Sequence, residues 1–228
     1  MTPMAPRSQP CQLPTLYAIL DIGPSHATAE LIRFAQELVA AGCTLLQYRN
    51  KSGNARVMLE QARELKKQLA FHSHFSQNRG EVGHSTPVRL IMNDRADLCL
   101  AAEFDGVHVG QDDLSPESVR KIIGPDRWLG VSTHNPEQLR EADLTSADYL
   151  AIGPVFATSS KEKPDPVVGL EGVRRARALT RKPLVAIGGV TRSNAASVIE
   201  AGADSVAVIS DLVRDPRKSA EDFFRILG

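Results

Sequence analysis

The sequence predicts an α/β protein of one domain, a (β/α)8 or TIM barrel. Three observations carry that expectation. Short apolar runs alternate with longer amphipathic segments eight times after Pro14. The runs are continuously apolar rather than alternating, as parallel strands are when both faces are covered. The length, 228 residues, suits one such barrel. A doubly wound open sheet is the alternative. It usually needs fewer strands, and neither G-x-G-x-x-G nor G-x-x-x-x-G-K-[ST] follows the first run.

The units follow in order. The run TLYAIL (15–20) precedes ATAELIRFAQELVAAG (27–42), and CTLLQY (43–48) precedes ARVMLEQARELKKQLA (55–70). RLIMN (89–93) precedes RADLCLAAE (95–103), and GVHVG (106–110) precedes SPESVRKII (115–123). RWLGVS (127–132) precedes PEQLREAD (136–143), and DYLAIGPVF (148–156) precedes GLEGVRRARAL (169–179). PLVAIGG (183–189) precedes RSNAASVIEAG (192–202), and SVAVIS (205–210) precedes PRKSAEDFFRIL (216–227). Ser115-Pro116 and Asn135-Pro136 read as helix starts, a capping side chain followed by a proline that needs no N–H. Two segments break the rhythm. Residues 1–13 form a Pro-rich stretch read as a flexible leader, with no apolar core of a signal peptide. Residues 72–86, HSHFSQNRGEVGHST, read as a polar surface insertion away from the active face. Their histidines could bind a metal, but a solvated loop is the expected state.

Composition narrows the function. Hydrophobic residues make up 42% of the chain, enough for a sizeable core. Basic and acidic residues balance at 27 each, against the basic excess of a nucleic-acid or acidic-membrane surface. Three cysteines without a C-x-x-C suit a reducing cytoplasm and argue against a zinc site. No apolar run approaches the 18 residues of a membrane span.

In such a barrel the chemistry sits where the strands end. Gln47, Arg49 and Lys51 follow the second strand, and Asn93 and Asp94 the third. His108, Gln111, Asp112 and Asp113 follow the fourth, and Ser132 the fifth. ATSSK (157–161) follows the sixth, Gly188-Gly189 the seventh and Ile209-Ser210 the eighth. Asp94 and Asp113 offer hard oxygen ligands from adjacent strands, the set that Mg²⁺ takes together with water and substrate phosphates. Arg49, Lys51 and Lys161 supply the cations a diphosphate requires. The glycine pair and the helix opened by VIS suit a monophosphate, held on backbone N–H groups. The bland readings are a capping role for Asp94, a loop carboxylate for Asp112 and a tight turn at Gly188-Gly189. His108 is read as a packed or hydrogen-bonded rim residue rather than a base. The two phosphate sites imply two phosphorylated substrates or one bisphosphate.

These motifs resemble the thiamine-phosphate synthase family. QYRNK, MND, GVHVGQDDL, GVS, GPVFATSSK, IGGV and VIS match it in order, from Leu16 to the C-terminus. HVGQDDL is the most specific, whereas IGGV recurs in many barrels. The resemblance implies a magnesium-dependent transferase of thiamine biosynthesis. It would couple 4-amino-2-methyl-5-hydroxymethylpyrimidine diphosphate to a thiazole phosphate, or its carboxylated form, and release diphosphate. It implies that Gln47, Tyr48, Arg49, Asn50, Lys51, Asn93, Ser132 and Lys161 hold the pyrimidine diphosphate, with Arg49, Lys51 and Lys161 catalytic. It implies Mg²⁺ on Asp94 and Asp113, and the thiazole phosphate on Thr158, Ser159, Ser160, Gly189, Ile209 and Ser210. This chain departs from the family pattern at Asn50, where an acid is common, and at Ser160, where a threonine is. Asp211 adds an anion beside the expected phosphate and is expected to point away from it. Small phosphorylated molecules are thus the expected partners, with neither nucleic acid nor membrane; a homo-oligomer is left open. A thiazole tautomerase of the same fold needs only the thiazole cup, and a non-catalytic precursor sensor needs fewer cations than this rim carries.

Overall fold

The computed structural model describes residues 11–22, 27–77, 87–158 and 165–228, without the side chains of 71–77. Among the described residues, eight strands alternate with eight helices. They are β1 (Leu16–Ile22), α1 (Thr28–Ala40), β2 (Leu45–Asn50), α2 (Ala55–Gln77), β3 (Arg89–Asn93) and α3 (Ala96–Ala101). Next come β4 (Gly106–Val109), α4 (Pro116–Ile123), β5 (Trp128–Thr133), α5 (Pro136–Asp143), β6 (Tyr149–Ile152) and α6 (Gly169–Leu179). The chain ends with β7 (Leu184–Ile187), α7 (Ala195–Glu200), β8 (Ser205–Val208), a 3-10 turn (Ser210–Leu212) and α8 (Pro216–Leu227). The strands close a parallel barrel in sequence order, with β8 paired to β1. The expected (β/α)8 architecture is therefore present.

Helix starts follow the local chemistry. Ser115 accepts from the Ser118 N–H, Asn135 from that of Gln138, and Asp215 from that of Lys218, each one residue before a proline. One boundary differs from the sequence reading. α2 continues to Gln77, so 72–77 extend that helix rather than open a loop. The rest of the expected insertion, 78–86, lies outside the described residues, as do residues 1–10 of the expected leader. Cys11 and Leu13, at the leader's end, pack against the apolar interior of the barrel.

Two apolar layers hold the fold. The larger lies between strands and helices, and includes Leu20, Leu46, Tyr48, Met92, Val107, Leu129 and Leu150. The smaller fills the barrel with Tyr17, Ile19, Leu45, Ile91, Trp128, Tyr149, Ala151, Val185 and Ala207. Successive strand residues thus divide by parity between the two layers.

The amino end of the barrel is closed by a repeated device. Asp105, one residue before β4, accepts from Leu90 N at the start of β3, at 2.8 Å. Asp148 does the same for Leu129 N of β5, and Asp204 for Leu184 N of β7, both at 2.7 Å. Asp148 also takes Arg120 Nη2 at 2.7 Å. The buried Arg120 guanidinium donates further to the carbonyls of Gly124, Arg127 and Ser146. Asp105, Asp148, Asp204 and Arg120 thus each have a partner within the protein.

Candidate active site

A cavity of about 780 Å³ opens at the carboxyl ends of the strands. Gln47, Arg49, Lys51, Asn93 and Ser132 line one side of it, together with Asp94 and Asp113. Thr158, Gly189, Ile209 and Ser210 line the other. Ser159, Ser160 and Lys161 lie outside the described residues. Tyr48 and Asn50 correct the sequence reading. Both face α2: Tyr48 Oη donates to Gln61 Oε1 at 2.7 Å, and Asn50 Nδ2 donates to the same oxygen at 3.0 Å. The reason is strand parity. Gln47 and Arg49 point into the barrel, so the residues between and after them cannot.

The pairing register builds the cationic side. Asp21 lies opposite Arg49 in the β1–β2 pair, and the two side chains form an ion pair. Lys51 donates to Asp94 Oδ2. Asp94 does not cap α3, whose N-cap position is Arg95 with no side-chain capping bond. It holds a left-handed backbone, with φ at 61°, and its N–H donates to the His108 carbonyl at 2.8 Å. A non-glycine residue in that region is uncommon and costs backbone energy, which is often found at functional sites. Asp113 accepts from Gly110 N at 2.7 Å. Burial, with the Asp94 charge beside it, pushes the Asp113 carboxyl above the usual carboxylate range. Asp112 is exposed at the rim.

A chain of hydrogen bonds lies beneath these groups. Gln47 Nε2 donates to Tyr17 Oη at 2.8 Å, and Tyr17 Oη meets Tyr149 Oη at 3.1 Å. Tyr149 Oη meets His108 Nδ1 at 3.1 Å, and His108 Nε2 meets Ser132 Oγ at 2.8 Å. Gln111 Nε2 donates to the Ser132 carbonyl at 2.6 Å. His108 is hydrogen-bonded, as its sequence position suggested, but inside the barrel rather than at the rim. Burial outweighs the raising effect of Asp113 and pushes the His108 pKa down to about 4. The ring is therefore neutral at pH 7.

The opposite side of the cavity is shaped by backbone. Gly188 and Gly189 both hold positive φ, 97° and 64°. A Cβ on Gly188 would stand 2.5 Å from Pro154 Cβ, and one on Gly189 would stand 2.6 Å from the Ala157 carbonyl oxygen. The pair therefore makes the turn and lets it press against the segment after β6. Asp211 faces away from this cup, as expected. Arg192 grips it with Nε at 3.1 Å and Nη2 at 3.0 Å, and the Arg192 N–H donates to it at 2.8 Å.

Several residues in or beneath the cavity escaped the sequence reading. Tyr17 and Tyr149 did so because they sit inside strands rather than after them. His134 donates from Nδ1 to the Gly153 carbonyl at 2.6 Å, and its Nε2 lies 3.5 Å from Asp165. Gln138 accepts from His134 N at 2.7 Å. The signal available for the tyrosines was a hydroxyl at inward parity within an apolar run.

Comparison with known proteins gives the family and the fold. A family model described as thiamine monophosphate synthase matches residues 16–212. A thiamine-phosphate synthase of Koribacter versatilis is 58% identical, over 95% of this chain and 97% of that protein. One from Moorella thermoacetica is 40% identical, over 87% of each chain. The solved structure of a thiamine phosphate pyrophosphorylase from Pyrococcus furiosus superposes with a TM-score of 0.74 at 31% identity. That superposition covers 93% of this chain and 95% of that one.

Proposed function

The chain belongs to the thiamine monophosphate synthase family, and on that premise we propose how its cavity performs the reaction. The activity is that of a thiamine-phosphate synthase, a transferase of thiamine biosynthesis. The pyrimidine diphosphate lies over β2–β5, and the thiazole phosphate lies in the cup formed by the glycine turn and the turn after β8. One observation carries this reading: a single cavity joins a cation–carboxylate cluster to a separate glycine-shaped cup.

Asp94 and Asp113 fit Mg²⁺. Two crowded carboxylates, one pushed toward protonation by burial and by its neighbour, are stabilised by a dication. Two carboxylates plus substrate phosphate oxygens suit that ion, and the described residues offer no cluster of three or more acidic, histidine or cysteine ligands. When bound, the ion supplies neutralising charge to the diphosphate.

The chain's own residues do the rest. Arg49 and Lys51 meet the negative charge that grows on the diphosphate as its C–O bond breaks. Lys161 joins them by family resemblance. Diphosphate leaves without a general acid, the pyrimidine amino group delocalises the methylene cation, and the thiazole nitrogen attacks it. His108 is neutral and enclosed by hydrogen bonds, so it serves neither as base nor as phosphate cation. The cup holds the thiazole phosphate, whose charge does not change during the reaction.

The test is direct. The purified protein, mixed with both substrates and Mg²⁺, should form thiamine phosphate and diphosphate in equal amounts. Excess chelator should stop the reaction. Absence of product with both substrates present would overturn the assignment; undiminished turnover in chelator would overturn the magnesium site alone. The buried thiols of Cys43 and Cys99 suit a cytoplasmic enzyme whose partners are small phosphorylated molecules.

A further inference from the structure

The hydrogen-bond chain inside the barrel has a direction. Gln47 Nε2 carries only donors, so Tyr17 Oη accepts from it. Tyr17 then has one hydrogen left, and Tyr149 Oη is the acceptor in reach. Tyr149 passes its own hydrogen to His108 Nδ1, so Nδ1 carries none and the ring N–H sits on Nε2, donating to Ser132 Oγ. Each hydrogen passed between Gln47 Nε2 and Ser132 Oγ then has an acceptor. The reverse direction would strand the Tyr17 hydroxyl hydrogen inside a fully buried side chain, at the cost of an unmade bond.

The register shows that the contact is built in. His108, Gly130 and Tyr149 lie opposite one another on β4, β5 and β6. A Cβ on Gly130 would stand 2.4 Å from His108 Nδ1 and 2.4 Å from Tyr149 Oη. Only a glycine leaves the gap through which the phenol reaches the imidazole.

We infer that Tyr149 and His108 are positioning residues that fix Ser132 as a hydrogen-bond donor toward the pyrimidine diphosphate. Ser132 accepts from His108, and Gln111 holds its carbonyl, so the free hydroxyl hydrogen is the one that faces the cavity. The assignment of that ligand rests on the proposed function; the tautomer of His108 does not.

The experiment therefore has two arms. Protein labelled with 15N-histidine, compared with the His108→Gln variant for assignment, should show His108 at pH 7 as the Nε2–H tautomer. The Nδ1–H tautomer would overturn the inference, whatever the enzyme's substrates. In the second arm, Tyr149→Phe should lower kcat/KM for the pyrimidine diphosphate by roughly tenfold, the loss of one buried hydrogen bond. KM for the thiazole phosphate should stay within about twofold, because the cup is untouched. The Ser132→Ala/Tyr149→Phe double variant should be no slower than Ser132→Ala, since both act through one hydroxyl. Additive losses, or equal harm to both substrates, would overturn the positioning role. Should Tyr149→Phe not fold, the tautomer of the unmodified protein decides. If the unmodified protein forms no thiamine phosphate, the proposed function fails while the tautomer still tests the relay.

Discussion

The two ends of the barrel treat carboxylates in opposite ways. At the amino end, Asp105, Asp148 and Asp204 each accept from a strand N–H, and Asp148 adds the Arg120 guanidinium. At the carboxyl end, Asp94 and Asp113 crowd each other, and the Asp113 carboxyl is pushed upward. The first arrangement is complete without any ligand. The second is the arrangement that the proposed Mg²⁺ would relieve. On the proposed function, activity lies at one rim of the sheet and stability at the other, as the barrel architecture allows.

The comparison is broken most severely at the amino end. Asp148→Ala leaves the buried Arg120 charge without its carboxylate. Removing one member of a buried pair costs about 3–5 kcal/mol. Denaturant melts should show that loss, while kcat per folded molecule stays near the original. A large fall in kcat in the folded fraction would mean that the two ends are not separable.

Arg49→Ala is the converse. It should lower kcat by about a hundredfold, or roughly 3 kcal/mol, because it removes charge from the leaving group as that group develops. Melting should change far less, since the ion pair with Asp21 is partly exposed. Steady-state kinetics beside thermal melts reads both.

The pH dependence sharpens the contrast further. The His108 pKa falls from 6.5 to about 4 on folding, so between those values the unfolded chain binds more protons than the native one. Stability contributed by the neutral ring is present above pH 6.5 and is lost as pH falls toward 4. The loss should be on the order of 3 kcal/mol. His108→Gln should flatten that part of the stability curve, measured by melts across the range. An unchanged slope would show that the ring is not buried as a neutral group.

Asp113→Asn should give the smallest change in stability, and one of opposite sign to Asp148→Ala. A carboxyl whose folded pKa is raised stabilises only when protonated, and that contribution is lost as pH rises through the folded value. At neutral pH the neutral amide relieves it. The metal-free variant should melt on the order of 2 °C higher, while magnesium-dependent turnover disappears. A lower melting point would show that Asp113 stabilises the metal-free fold.

Much of this protein was legible along the chain. Eight apolar runs and their amphipathic followers specify strands and helices because burial of one face or one stripe is a local pattern. Placing polar residues after strand ends located Arg49, Asp94, Asp113 and Ser210, all of which line the cavity. Tyr48 and Asn50 were misplaced because adjacency in a motif is not adjacency in a site. On a strand, alternate residues face opposite layers. The end of α2 was misread because a polar stretch with histidines carries no helix stop before residue 77.

What the sequence by itself determined is the barrel, the active rim and the kinds of group on it, since these follow from short-range periodicity and strand order. What only the tertiary structure decided is which groups touch. The Asp21–Arg49 pair, the Tyr17–Tyr149–His108–Ser132 relay and the Gly130 gap each join residues on different strands. Those contacts depend on parallel register around a closed sheet, and register arises from packing of the whole barrel rather than from any local stretch of chain.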